Sequence, residues 1–174
     1  MGFGIATILL NLHNIGYYPL DSMVLAIGFF YGGLSQVIAG IMEWKRNNTF
    51  GTTAFISYGL FWLSLVSLIV MPGFGIGIYP NGAAMSAYFA IWGFFTLLMF
   101  LLTFRINKAL QLVFLTLLLL FMFLAFAEGT GDPSVKSMAG YIGIVCGTLA
   151  IYTAAAQILN EAYGKKILPL GIVK

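Results

Sequence analysis

Polar side chains inside long apolar runs are the residues of this sequence whose types and positions could do chemistry. Such groups are costly to bury in hydrocarbon unless they are paired or in contact with water. They are the amides, carboxylates, hydroxyl and imidazole of Asn11, His13, Asn14, Gln36, Glu43, Tyr58, Gln111, Gln157, Asn160 and Glu161. Taken alone, any one of these residues is expected to form a hydrogen bond between neighbouring helices. Spread over several apolar runs, the set predicts a wet path through the protein.

The sequence contains few residues of the types that catalyse reactions. The acidic residues number five, and all of them lie near the ends of apolar runs. His13 is the one histidine and Cys146 the one cysteine, which argues against a multi-histidine or cysteine-clustered metal site and excludes an intrachain disulfide. The sequence has no nucleophile elbow and no phosphate-binding glycine loop. We therefore predict a conduit or carrier rather than an enzyme, with no cofactor.

The charge pattern bears on the solute. No lysine or arginine lies deep inside an apolar run, so an anion would depend on amides, hydroxyls and helix-end dipoles. This pattern predicts weak binding and fast passage. A carboxylic acid with a pKa near that of glutamate, about 4.3, is neutral in about one molecule in several hundred at pH 7. Crossing the driest point in that neutral form would couple transport to protons.

Other functions stay open at this stage. An amide-lined path does not specify an anion, so a conduit for ammonia, ammonium or water is the main alternative. A cation path would need acidic residues deep in the runs, whereas Glu43 and Glu161 lie close to the run ends. A non-transporting membrane scaffold would follow if the polar residues formed only dry interhelical bonds.

The elements that must position these side chains are membrane-spanning helices. The 174 residues are 61% hydrophobic and 7% charged, whereas soluble domains carry roughly 25% charged residues. A span needs about 20 apolar residues. Runs bounded by glycine and proline predict spans at 1–18, 22–44, 52–71, 84–104, 109–127 and 137–162. We expect an all-α polytopic membrane protein whose single six-helix domain covers residues 1–174.

The basic residues predict the orientation of these spans. Those on one side are Lys45, Arg46, Arg105, Lys108, Lys165, Lys166 and Lys174, with Lys136 on the other. The positive-inside rule then places both termini in the cytoplasm. We expect a multi-pass protein of the cell membrane. Because these residues are separated by apolar runs and form no single patch, nucleic acid is not an expected partner.

Small residues recur at a spacing of four in two of the predicted spans. Gly28 and Gly32 lie in the second span, and Gly143 and Gly147 lie in the sixth. Such faces permit close contact between helices. They could close the monomer or join protomers, and we favour packing within the monomer.

Several short strings of the sequence are specific enough to compare with known families. They are Met1-Gly2-Phe3-Gly4, Asn11-Leu12-His13-Asn14, Phe30-Tyr31-Gly32-Gly33, Asn48-Thr49-Phe50-Gly51, Ser57-Tyr58-Gly59, Trp92-Gly93, Phe95-Thr96-Leu97 and Leu159-Asn160-Glu161. With these strings, essentially the whole chain resembles the acetate uptake transporter (succinate–acetate permease) family. The family's N-P-A-P-L-G string lies just before the first of these, and this chain starts after it. We therefore expect upstream residues to be missing.

The resemblance implies a six-helix protomer that assembles as a homo-hexamer in the membrane lipid and passes acetate and related small carboxylates, including succinate. It also implies a hydrophobic constriction formed by Phe3, Tyr58 and Leu117, with Ala150 lining the path. Dewetting of such a ring could gate the path, while the tyrosine hydroxyl and nearby amides offer a carboxylate temporary partners. Channel-like passage and proton symport both fit this expectation.

Overall fold

Six helices run through residues 1–173, the part of the chain that the computed structural model describes; Lys174 lies outside it. They are α1 Gly2–Asn14, α2 Ser22–Lys45, α3 Thr49–Val70, α4 Gly82–Thr103, α5 Lys108–Thr130 and α6 Pro133–Ala162. A π-helical stretch, Ile27–Leu34, interrupts α2, and a 3₁₀ turn, Met71–Phe74, follows α3. The helices α2 to α6 are each long and apolar enough to cross a membrane. The predicted all-α architecture is confirmed.

Asparagine and aspartate side chains set where the helices begin. Each of α2 to α6 starts after a residue whose side chain accepts a hydrogen bond from a first-turn N–H, namely Asp21, Asn48, Asn81, Asn107 and Asp132. These caps lie upstream of the first strongly apolar residue, so α3 to α6 start up to four residues before their predicted positions. Hydrogen bonds from Ser134 hold the pKa of the Asp132 carboxyl below its usual range.

The first helix is shorter than the predicted span 1–18. It ends at Asn14 because Gly16 takes a left-handed conformation with φ of 83°. The N–H of Gly16 donates to His13 O at 2.8 Å and that of Tyr17 donates to Leu12 O at 3.0 Å, which is a Schellman cap. With 13 residues, α1 is roughly 20 Å long, less than the hydrocarbon thickness of about 30 Å.

Glycines bring the helices into close contact within one protomer. The helix α6 packs along both α1 and α5, while α3 packs along α2. On α6, a Cβ at Gly143 would collide with the Asn11 side chain, and one at Gly147 would collide with Ile8. On α2, the Trp62 indole would lie 2.9 Å from a Cβ at Gly32. The predicted intramolecular role of these small-residue faces is confirmed.

The two ends of the bundle differ in charge. The C-terminus of α2, the α4–α5 turn and the residues after α6 share one end, which we call the basic end; it carries Lys45, Arg46, Arg105, Lys108, Lys165 and Lys166. Met1 lies against a cavity of this same end. Lys136 lies at the other end, which we call the opposite end. This arrangement matches the charge asymmetry from which the orientation was predicted.

Candidate functional site

Two cavities enter the helix bundle from its two ends. The basic-end cavity has a volume of about 720 Å³ and lies among the C-terminal halves of α2 and α6 and the N-terminal halves of α3 and α5. Its walls include the predicted path residues Gln36, Glu43, Tyr58, Ala150, Gln157, Asn160 and Glu161. The opposite-end cavity has a volume of about 280 Å³, and its walls include the predicted Asn11, His13 and Asn14.

The cavities meet at two side chains. Among the described residues, Phe3 and Leu117 line both cavities. Tyr58 lines the basic-end cavity, and its ring centroid lies 6.0 Å from that of Phe3. Tyr58 and Leu117 are each 3% exposed. The structure thus brings Phe3, Tyr58 and Leu117 together where the two cavities meet, and we refer to these three residues as the constriction.

The Tyr58 hydroxyl belongs to a hydrogen-bond chain that leads into α4. Its oxygen lies 2.8 Å from Thr96 Oγ1, and Thr96 Oγ1 donates to Trp92 O at 2.7 Å. A hydroxyl can donate one hydrogen bond, and the Thr96 hydroxyl donates to Trp92 O. Thr96 Oγ1 therefore accepts from the Tyr58 hydroxyl, whose one proton is engaged in this bond. A carboxylate could accept a hydrogen bond from the Tyr58 hydroxyl only by replacing Thr96 as the acceptor. Sequence reasoning missed Thr96 as a site residue, although it belongs to one of the matching strings.

Several predicted path residues also hold the fold together. Asn160 Oδ1 accepts from the N–H groups of Ile167 and Leu168 at 2.6 and 3.0 Å, which fixes the segment after α6. Glu43 accepts from Asn48 Nδ2 at 2.5 Å, which joins α2 to the start of α3. Glu43 and Asn160 thus have structural roles at the basic end, in addition to lining its cavity.

At the opposite end, the polar residues of α1 form a local network. Asn11 Nδ2 donates to Thr7 O at 2.8 Å, and Asn14 Nδ2 donates to Asn11 Oδ1 at 3.0 Å. His13 Nδ1 lies 3.0 Å from Tyr18 O, and the Tyr18 hydroxyl donates to Leu9 O at 2.5 Å. The network fixes the loop after α1 against the wall of the cavity.

Gln111 is the predicted path residue that the structure leaves away from both cavities. Leu110 and Phe114, on the same helix, line the basic-end cavity. Because an α-helix turns by about 100° per residue, Gln111 lies on a face of α5 that points away from this cavity. In the described structure its Nε2 donates instead to Thr103 O on α4, over 3.4 Å.

Charge is confined to the mouths of the two cavities. Glu43, Arg46 and Glu161 line the basic-end mouth. Glu128 and Lys136 line the opposite mouth, where Lys136 Nζ lies 3.1 Å from Glu128 Oε1. The stretch between the mouths is lined by apolar and uncharged polar side chains. Such walls can hold a small anion only weakly, through hydrogen bonds and dipoles.

Comparison with known proteins gives matches over nearly the whole of this chain. The sequence model of the GPR1/FUN34/yaaH family matches residues 1–169. The succinate-acetate/proton symporter SatP of Escherichia coli strain K12 is 49% identical over 171 residues, covering 98% of this chain and 91% of that protein. Ammonia transport outward protein 2 of Saccharomyces cerevisiae is 34% identical over 168 residues, covering 92% of this chain and 59% of that protein.

A solved structure of the bacterial acetate channel SatP has the same fold. It matches with a TM-score of 0.96 at 49% identity and covers 98% of this chain and 94% of that chain. Together with the long apolar helices, this match confirms the prediction of a multi-pass membrane protein. The resemblance inferred from the sequence strings is confirmed as well. The chain belongs to the GPR1/FUN34/yaaH family.

Proposed function

We propose that this protein carries acetate and related small carboxylates, including succinate, across the cell membrane through a path within each protomer. The observation that carries the proposal is the pair of cavities that enter from opposite ends and meet at Phe3 and Leu117. Relatives whose names specify succinate, acetate and protons match nearly the whole chain.

The constriction acts as the selectivity gate. Its apolar side chains disfavour water and bare ions, so the closed path is dry. A two-carbon carboxylate presents one small methyl group to Phe3 and Leu117 and one carboxylate to the polar groups nearby. Bulkier acids need more room between the same side chains, and the gate therefore selects by size.

Uncharged walls favour passage over capture. Without a cation between the mouths, a carboxylate gains only neutral hydrogen bonds, and it leaves as readily as it enters. The same walls accept the protonated acid at the driest point, which gives proton coupling a physical basis. The names of the relatives include both a proton symporter and a channel.

Acetate flux into proteoliposomes tests the proposal. Labelled acetate is followed at matched and stepped pH for the wild type, Tyr58→Phe, Tyr58→Ala and the control Gln111→Ala, which alters a residue off the path. We expect saturable wild-type flux that both Tyr58 variants change and the control preserves. Acceleration by an inward proton gradient beyond that of empty liposomes supports symport. Wild-type flux equal to that of empty liposomes, from folded protein, would overturn the proposal.

Ammonia is the second candidate solute. A yeast relative named for outward ammonia transport is 34% identical to this chain, and neutral polar walls would also pass a small uncharged base. Ammonia-dependent alkalinisation of a dye-loaded vesicle separates the two functions. If ammonia passes and acetate does not, the carboxylate assignment fails.

We further propose that the protomers assemble as a homo-hexamer, as the family resemblance implies. Large apolar side chains on the outer surface, such as Phe30, Ile91 and Phe94, are 62%, 69% and 60% exposed and must be covered by lipid or by neighbouring protomers. Native mass spectrometry of the purified protein with bound lipid checks the number of protomers. A monomeric mass under conditions that preserve transport would contradict this assembly.

A further inference from the structure

The segment that follows α6 runs along the basic-end mouth to the start of α5. It comprises residues 163–173, none of which belongs to a helix, and we call it the strap. Leu170 and Ile172 of the strap line the basic-end cavity, as do the charged side chains of its mouth. The strap therefore forms one side of the opening through which a solute enters or leaves at this end.

Two side chains of α6 hold the strap by hydrogen bonds to its backbone. The Tyr152 hydroxyl donates to Pro169 O at 2.7 Å. Asn160 Nδ2 donates to Leu168 O at 2.8 Å, in addition to the two N–H groups that Asn160 Oδ1 accepts. These contacts fix the first half of the strap to the helix from which it emerges.

The second half of the strap is held by the start of α5. The first N–H groups of a helix have no partner within the helix, and here those of Lys108 and Ala109 donate to Gly171 O and Leu170 O at 2.9 and 3.0 Å. Gly171 has a φ of 67°, and a Cβ there would lie 2.9 Å from Lys108 Cβ. Glycine thus lets the strap lie directly on the first turn of α5.

The strap has little buried surface to hold it in place. None of residues 163–173 is buried, and Ile172 is 81% exposed although it lines the cavity. Water can replace the hydrogen bonds of an exposed segment, so such segments open at a lower free energy than packed helices do. The strap is therefore a part of the cavity wall that can move while the bundle stays folded.

We propose that the strap is a lid on the basic-end mouth, which must detach from Tyr152 and from the start of α5 for a solute to pass. This proposal rests on the proposed function, because it concerns access to the same path. Detachment withdraws Leu170 and Ile172 from the opening and leaves a mouth bounded by the bundle. The constriction lies at the inner end of this cavity, so the strap controls access and the constriction selects by size.

A reversible cross-link can hold the strap closed. Asn107, just before α5, and Ile172 form an isolated antiparallel bridge, and its hydrogen bonds belong to their chain neighbours. In such a non-hydrogen-bonded pair the Cα atoms are about 4.5 Å apart, which lies within the range that a disulfide can span. The double variant Asn107→Cys/Ile172→Cys therefore provides a lock, and the native Cys146 is buried and does not compete.

Acetate flux through the locked and unlocked protein tests the lid. Proteoliposomes that contain the double variant are assayed after oxidation and again after reduction, and both single variants receive the same treatment. We expect the cross-link to lower flux severalfold and reduction to restore it, while the single variants do not respond. Equal flux in the two states, with the cross-link shown to be complete by mass spectrometry, would overturn the lid.

Thiol labelling measures the opening of the strap without any transport. Ala154 lines the basic-end cavity, so Ala154→Cys is a reporter that a membrane-impermeant methanethiosulfonate reaches through the mouth. In this background Tyr152→Phe removes the bond to Pro169 O, and Tyr141→Phe is the control, since Tyr141 is 61% exposed on the same helix. We expect Tyr152→Phe to speed labelling roughly two- to tenfold, the effect of one hydrogen bond.

The two assays distinguish failure of the lid from failure of the transport function. Labelling of Ala154→Cys that Tyr152→Phe leaves unchanged refutes the lid, whatever the acetate flux. Absent wild-type flux refutes the transport function, while the labelling rates still decide whether the strap opens and closes the mouth.

Discussion

The hydroxyl oxygens of Tyr58 and Thr96 lie 2.8 Å apart and join the constriction to α4. Four aromatic rings surround the Tyr58 ring, those of Phe3, Trp92, Phe95 and Phe114, with centroid distances of 5.5 to 6.2 Å. The hydroxyl is the one polar atom of that side chain, and Thr96 is its partner. Thr96 therefore sets which way the Tyr58 hydroxyl points, and it acts as a positioning residue for the constriction.

Replacing Thr96 by valine should destabilise the protein by about 1–3 kcal/mol, because the buried Tyr58 hydroxyl loses its partner. Thr96→Ser keeps a hydroxyl and should recover most of this loss. Thr148→Val is the control, since Thr148 is exposed and its hydroxyl donates to Ile144 O of its own helix. Unfolding in detergent, followed by circular dichroism, measures the difference. Equal stability of Thr96→Val and the wild type would contradict the role assigned to this bond.

Shortening Leu117 should widen the constriction. The side chain is 3% exposed and lines both cavities, so Leu117→Ala joins them and relaxes selection by size. We expect the flux of a four-carbon monocarboxylate relative to acetate to rise on the order of tenfold, because one methylene is worth about 1–3 kcal/mol in a tight apolar pocket. Competition assays in proteoliposomes measure the ratio. Leu112→Ala, on an exposed face of α5, is the control, and an unchanged ratio in Leu117→Ala would remove Leu117 from the gate.

Hydropathy alone was enough to find the helices, because long apolar runs have few alternatives in a chain with so little charge. Their ends were harder to place. Caps such as Asn48 and Asp132 lie outside the apolar runs, and the end of α1 depends on the left-handed Gly16. Neither signal changes the mean hydropathy of a run, so most predicted ends differ from the structure by one to four residues, whereas the start of α2 and the end of α6 are confirmed.

The candidate site was only partly accessible from the sequence. Phe3, Tyr58 and Leu117 were placed by family resemblance, because an apolar side chain in an apolar helix carries no local signal of its own. The polar candidates were found by type, but type does not tell which atoms are already bonded. Gln111 was included for this reason, although in the described structure its amide donates to Thr103 O on α4.

The contact between Gly143 and Asn11 should tolerate no added methyl group. A Cβ at Gly143 would overlap the Asn11 amide, which is 1% exposed and bonded on both sides. We expect Gly143→Ala to cost about 1–3 kcal/mol of stability through overpacking and to reduce flux by shifting α1. Gly93→Ala is the control, since its Cβ would meet the flexible Met122 Sδ at 3.3 Å and would make an ordinary van der Waals contact with Phe121 Cβ at 3.5 Å. Thermal unfolding that ranks the two variants equally would contradict this account of the α1–α6 contact.

The ion pair at the opposite mouth should set how anions enter from that end. Lys136 Nζ lies 3.1 Å from Glu128 Oε1, so the lysine charge is largely compensated at the entrance. Glu128→Gln leaves the lysine uncompensated, and we expect initial acetate influx from that end to rise on the order of twofold at low ionic strength. The gain should vanish at high salt, because screening removes the attraction. Lys136→Met is the opposing variant and should slow influx under the same low-salt conditions. Initial rates at low and high sodium chloride, with protein orientation in the vesicles fixed, measure both effects. An increase in Glu128→Gln that persists at high salt would point to a change of shape at the mouth rather than of charge.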